Sequence, residues 1–91
     1  MSSQLPAKIQ IQFLKEGKQF IAYSPALDLS AAGESFEEAK KNFSEVLEIF
    51  LEEVGEDIVE VLIQLGWEKQ SDRLTPPVII AHELMDFSVN A

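Results

Sequence analysis

From residue 8 to 14 the chain alternates: Ile9, Ile11 and Phe13 fall on one side of an extended backbone, Lys8, Gln10 and Gln12 on the other. A period of two predicts a half-buried strand. Lys15-Glu16-Gly17-Lys18 predicts a hairpin turn in which Gly17 takes positive φ. Residues 19–24 return as an aromatic and β-branched strand that stops at Pro25, which has no N–H to offer a central ladder. Residues 28–32 then predict a short third strand closed by Gly33.

The period changes after Gly33. Ser35-Phe36-Glu37-Glu38 fits a capping box, with the Ser35 hydroxyl accepting the Glu38 amide and the Glu38 carboxylate accepting the Ser35 amide. Phe36, Ala39, Phe43, Val46, Leu47, Phe50 and Val54 recur at helical spacing as one wide apolar stripe. Gly55 predicts the end of this helix. Asp57 is placed to cap a shorter helix over residues 58–65, ended by Gly66, and Trp67 packs back on sheet or helix. Residues 68–75 are polar and read as a loop. Pro76-Pro77 forces an extended entry into a last strand, residues 78–89.

That last strand is apolar on both sides. Val78, Ile80, His82 and Leu84 alternate with Ile79, Ala81, Met85, Phe87 and Val89. One helix covers one face of a sheet, so the other face needs a further layer or a second molecule. A homo-oligomer is expected, with Ile80, His82 and Leu84 as candidate interface residues. The order is β-β-β-α-(α)-β: an α+β sandwich with the long helix packed on one sheet face. Ninety-one residues are too few to divide into two cores, so residues 1–91 are expected to form a single domain.

Charge narrows the partners. Ten acids and two bases lie between Glu34 and Glu60, a local net charge of −8 in a chain whose total is −9. Such a surface repels phosphate, so direct nucleic-acid binding is not expected, whereas a basic protein is attracted. Acidic surfaces also serve solubility alone. Glu45, Glu48, Glu52 and Glu53 are the candidate partner-binding residues. Glu52 and Glu53 stand near the helix C-terminus, where the macrodipole disfavours negative charge. No apolar run is long enough to span a bilayer. Residues 1–6 lack a charged and then apolar leader pattern, so no signal peptide is expected and a cytoplasmic protein is the simplest reading. The absence of cysteine removes disulfide and thiolate chemistry.

Catalysis finds little support. His82 is the single histidine and has no acidic orienter beside it in sequence. The serines lack the Gly-x-Ser-x-Gly elbow of a hydrolase. Three antiparallel strands, a helix and a strand are also the core of the ribonuclease H fold, whose chemistry needs carboxylates converging on divalent ions from the first strand onward. The first strand here contains no acid. Gly33 stands alone rather than in a phosphate-binding loop. Only Asn90 and Ala91 follow the last strand, leaving no room there for a DNA-reading module. No catalytic residue, metal or cofactor is expected.

Ala22-Tyr23-x-Pro25-x-Leu27, followed by Gly33-x-Ser35-x-x-Glu38-Ala39, resembles the HicB-like antitoxin family. Leu65-Gly66-Trp67 and Pro76-Pro77 with its following residues extend the likeness to compact, stand-alone members. Asp28-Leu29 stands where the family usually has Pro-Gly before the third strand. The resemblance implies a degraded ribonuclease H-like sheet without nuclease carboxylates. It also implies a non-enzymatic antitoxin that covers the active surface of a small basic toxin cleaving messenger RNA. Full antitoxins append a DNA-binding domain, which is not seen here. The alternative is an orphan structural or regulatory binding module of the same fold, with no toxin partner.

Overall fold

A computed structural model describes residues 7–91; residues 1–6, on which the signal-peptide expectation rests, lie outside them. Strands β1 (Gln12–Glu16), β2 (Gln19–Ser24) and β3 (Leu29–Gly33) form an antiparallel sheet in the order β1-β2-β3. Glu16 pairs with Gln19 across a two-residue loop. Gly17 opens that loop at φ 60, the positive value that a type II′ turn demands of its first central residue. β1 starts later than the alternation predicts. Its ladder begins at Gln12 opposite Tyr23, and β2 ends at Ser24 against Pro25, so residues 8–11 have little strand left to pair with. Ile9 and Ile11 still pack against the core.

The bend after β2 is held from inside. Ser24 is fully buried, and its hydroxyl accepts the Leu27 amide at 3.3 Å across Pro25 and Ala26. Asp28 then takes φ 53, a left-handed conformation that Asp tolerates better than most residues. At the end of β3 the chain turns so tightly that a Cβ on Gly33 would stand 2.5 Å from the Ala39 amide nitrogen. The neighbour is helix backbone and cannot move aside. Only glycine allows the sheet and the helix start to approach this closely.

Helix α1 (Phe36–Val54) follows. The Ser35 hydroxyl accepts the Glu38 amide at 3.1 Å, as a cap should. The return arm differs from the expected box: the Glu38 carboxylate accepts the Glu34 amide at 3.2 Å, one residue earlier than Ser35. Ala39 and Phe43 bury against Ala22 of β2, and Phe36 packs on Phe13 of β1 with ring centroids 4.3 Å apart. Asn42 donates to the Ala32 carbonyl at 2.8 Å and ties α1 to the β3 edge. Gly55, at φ 57, ends α1.

A 3-10 turn (Gly55–Asp57) leads into α2 (Ile58–Gln64). Asp57 makes no side-chain cap there. Its φ and ψ of −84 and 8 already follow the preceding turn, whereas a capping residue is extended. Leu62 and Trp67 close a second apolar cluster over Ala26 and Leu27, and the Trp67 indole donates to the Ala26 carbonyl at 2.8 Å. Residues 68–75, expected as a loop, form a hairpin of β4 (Glu68–Gln70) and β5 (Arg73–Thr75). Only Leu74 in it is even half-buried, so no apolar alternation betrays it.

The largest correction concerns residues 76–91. They contain no strand, although residues 78–89 were expected to form the last one. The Ile79 amide donates to the Gln10 side chain, two residues before β1, and no backbone ladder joins the segment to β1. An apolar pattern supplies a reason to be buried; it does not supply the edge to pair with. The result is an α+β chain with a three-stranded sheet, one long helix and a small two-stranded sheet. Its radius of gyration is 16.0 Å, against about 12 Å for a compact chain of this length. The exposed tail accounts for the excess.

Candidate functional site

α1 sorts its residues by side. At roughly 100° per residue, Glu45, Glu48 and Glu52 fall within about 60° of one another, on the side opposite Ala39 and Phe43; Glu53 flanks them. All four acids are exposed. None of their carboxylates joins a side-chain hydrogen bond among the described residues. The last turn of α1 contains no base, so Glu52 and Glu53 add to the negative helix end unopposed. The same geometry places Lys41 at the N-terminal end of this face, one turn before Glu45.

Ile49 sits among these acids, between the directions of Glu45 and Glu53, with 54 % of its surface exposed. It was not among the candidate residues, because the apolar stripe runs elsewhere. The available signal was its position: an isoleucine off the core stripe of an otherwise amphipathic helix. An apolar centre ringed by charge is the usual anatomy of a protein contact, where the centre is desolvated and the rim steers.

The proposed interface residues lie on the tail. Ile80, His82 and Leu84 are all exposed. His82 borders Ile11, Gln12, Phe13 and Leu14 at an open depression of about 450 Å³ beside β1. No carboxylate lines it. Among the described residues no group of three or more His, Asp or Glu side chains is placed to hold a metal ion. Ser24 and Ser35 are occupied in the bend and the helix cap.

Among the described residues, one titratable group departs from its ordinary behaviour. The Tyr23 hydroxyl donates to the Asp28 carboxylate at 3.1 Å. That hydrogen bond, with some desolvation and the carboxylate's charge, raises the Tyr23 pKa above its usual 10.0. The pair braces the bend. Beneath α1, Ala7, Ile9, Leu27, Leu47, Leu51, Ile58, Leu62 and Trp67 line a cavity of about 170 Å³. Its lining has no ionisable side chain, so it suits an apolar group rather than acid–base chemistry. No helix among the described residues is long and apolar enough to cross a membrane. In comparisons with known proteins, no family model, curated protein or solved structure matches this chain.

Proposed function

We propose that this chain is a non-enzymatic, antitoxin-type binding protein of the HicB-like kind, acting in the cytoplasm on a small basic toxin that cleaves messenger RNA. The observation that carries the reading is the outer face of α1, where Glu45, Glu52 and Glu53 flank exposed Ile49 and Glu48 stands farther round the same acidic side. Carboxylates without internal partners draw a cationic surface in quickly, and Ile49 gives the docked pair an apolar centre. A toxin that binds messenger RNA must itself present cations. The acidic face competes for those cations and blocks the substrate's path. In this reading the sheet is a reduced ribonuclease H-like scaffold whose use is display.

The test is binding to the product of an adjacent small basic gene. Titration calorimetry should show tight association that weakens steeply as salt rises, and coexpression should restore growth. Glu48→Lys with Glu52→Lys should abolish both. Binding that ignores these charges, or survives high salt undiminished, counts against the proposed surface. The cavity under α1 favours a second reading, an orphan regulatory module that takes a small apolar ligand among Leu47, Leu62 and Trp67. Quenching of the single tryptophan by such ligands would support it.

A further inference from the structure

The apolar cavity beneath α1 opens beside a basic hollow. Leu27, Leu62 and Trp67 are buried in the cavity wall, whereas Ala7 and Leu51 are exposed and mark its open sides. Ala7 also lines the hollow, a space of about 400 Å³ shared with Lys8, Arg73, Leu74, Thr75 and Pro76. The two spaces therefore meet at Ala7. Neighbouring residues divide between them, Ile9 lining the cavity and Lys8 the hollow. Leu74 joins them from the other side, since it lines the hollow and packs on the cluster of Leu27, Leu62 and Trp67.

Each space specifies part of a ligand. An apolar cavity of about 150 Å³ stays dry and admits a molecule the size of benzene, and this one measures about 170 Å³. Among the described residues no buried side-chain nitrogen or oxygen lacks a hydrogen-bond partner, so no polar side chain in the wall needs a water. The hollow offers two cations, and its lining includes no carboxylate. The Arg73 Nε donates to the Gln70 side chain at 3.0 Å, which steadies the guanidinium. Its terminal N–H groups have no protein acceptor among the described residues, and their planar fork suits a carboxylate. Charge also sets the direction. Leu51, at the other open side, stands one turn after Glu48 and next to Glu52, so an anion is repelled there.

We propose that this chain binds a small aryl carboxylic acid, with its ring in the cavity against Trp67 and its carboxylate between Lys8 and Arg73. The site rests on the second reading above, a small apolar ligand under α1, and adds the head group that orients it.

Three ligands with one body and different head groups test it: phenylpropionate, phenylpropanol and phenylpropylamine. Each is titrated into the full chain by calorimetry and by the fluorescence of Trp67, the single tryptophan. The acid should bind about tenfold more tightly than the alcohol, and the amine more weakly than either. Lys8→Gln with Arg73→Gln should remove that advantage and leave alcohol binding unchanged; both residues are exposed, so the fold is not at risk. Leu51→Phe fills the cavity from an exposed position and should abolish binding of acid and alcohol alike. Raising salt from about 50 to about 500 mM should weaken the acid several-fold and leave the alcohol unchanged. An acid that binds no better than the alcohol, or an advantage that survives the double substitution, overturns the head-group site and leaves the apolar-ligand reading standing. Tighter binding of the amine does the same, since it would place the head group at Glu48 and Glu52. Binding by none of the three, or binding that survives Leu51→Phe, overturns the site and that reading together.

Discussion

Helix α1 and the tail carry similar apolar content and meet opposite fates. In α1 the stripe of Ala39, Phe43 and Leu47 faces Ala22 and Ile11, a surface already assembled by the β1-β2-β3 sheet. In the tail, Ile80, Leu84 and Phe87 face water, because no described element of the chain packs over them. Hydrophobic pattern specifies what must be covered. The rest of the molecule decides whether a cover exists. The comparison also separates two kinds of surface, since the outer face of α1 is densely acidic whereas the tail is mainly apolar, with Glu83 and Asp86 as its acids.

The sharpest break of this comparison pairs two phenylalanines. Phe43 is 2 % exposed between helix and sheet, and Phe43→Ala should cost about 3–5 kcal/mol through lost burial and the cavity left behind. Phe87→Ala, measured by urea titration at a dilution where the chain is monomeric, should change stability by less than about 0.5 kcal/mol. A large loss at Phe87 under those conditions would mean that the tail belongs to the monomer's core after all.

Next in size is the hinge between sheet and helix. Gly33→Ala drives a methyl into the backbone around Glu38 and Ala39. The expected loss is about 1–3 kcal/mol, with α1 amides exchanging faster than those of β1. Gly17→Ala is the control: its Cβ meets open space, and its penalty comes only from φ 60. Equal effects at the two glycines would remove the packing argument.

The first half of the fold was legible because each element there has its partner within a few residues in sequence. The turn at Gly17, the stop at Pro25, the Ser35 cap and the α1 stripe all express local chemistry or a short-range period. Besides the missing Asp57 cap, two failures downstream have separate causes. The β4-β5 hairpin is polar throughout and buries only part of Leu74, so the periodicity that announces a strand is missing. The tail has the periodicity but no ladder, because pairing depends on an edge about seventy residues upstream in Gln10 and β1. At the candidate site the acids could be read directly. Ile49 could not, because its meaning depends on which side of α1 the sheet covers.

A smaller effect tests the cap that starts α1. Ser35→Ala removes the acceptor for the Glu38 amide and should cost about 1 kcal/mol, within a usual range of about 0.5–2. Ser35→Asp keeps an acceptor beside the positive helix end and should restore most of it. Denaturant midpoints of the two variants that fail to differ would show that the cap contributes nothing to the helix.

The smallest effect lies at the bend between β2 and β3, and it is visible only against pH. The Tyr23 hydroxyl is held by Asp28, and its pKa is raised in the folded chain above the ordinary 10.0. A raised pKa means that the folded state holds this proton more tightly than the unfolded state does. The contribution is therefore whole below pH 10 and fades as pH climbs through the folded value. Wild type should be slightly more stable than Tyr23→Phe near neutrality, and the gap in urea midpoint should close in alkaline solution. Asp28→Asn keeps a hydrogen-bond acceptor while removing the carboxylate's charge, so the alkaline decline should be shallower than in wild type. Parallel curves for wild type and Tyr23→Phe across that range would show that the hydrogen bond does not brace the bend, leaving Ser24 and Pro25 to set it.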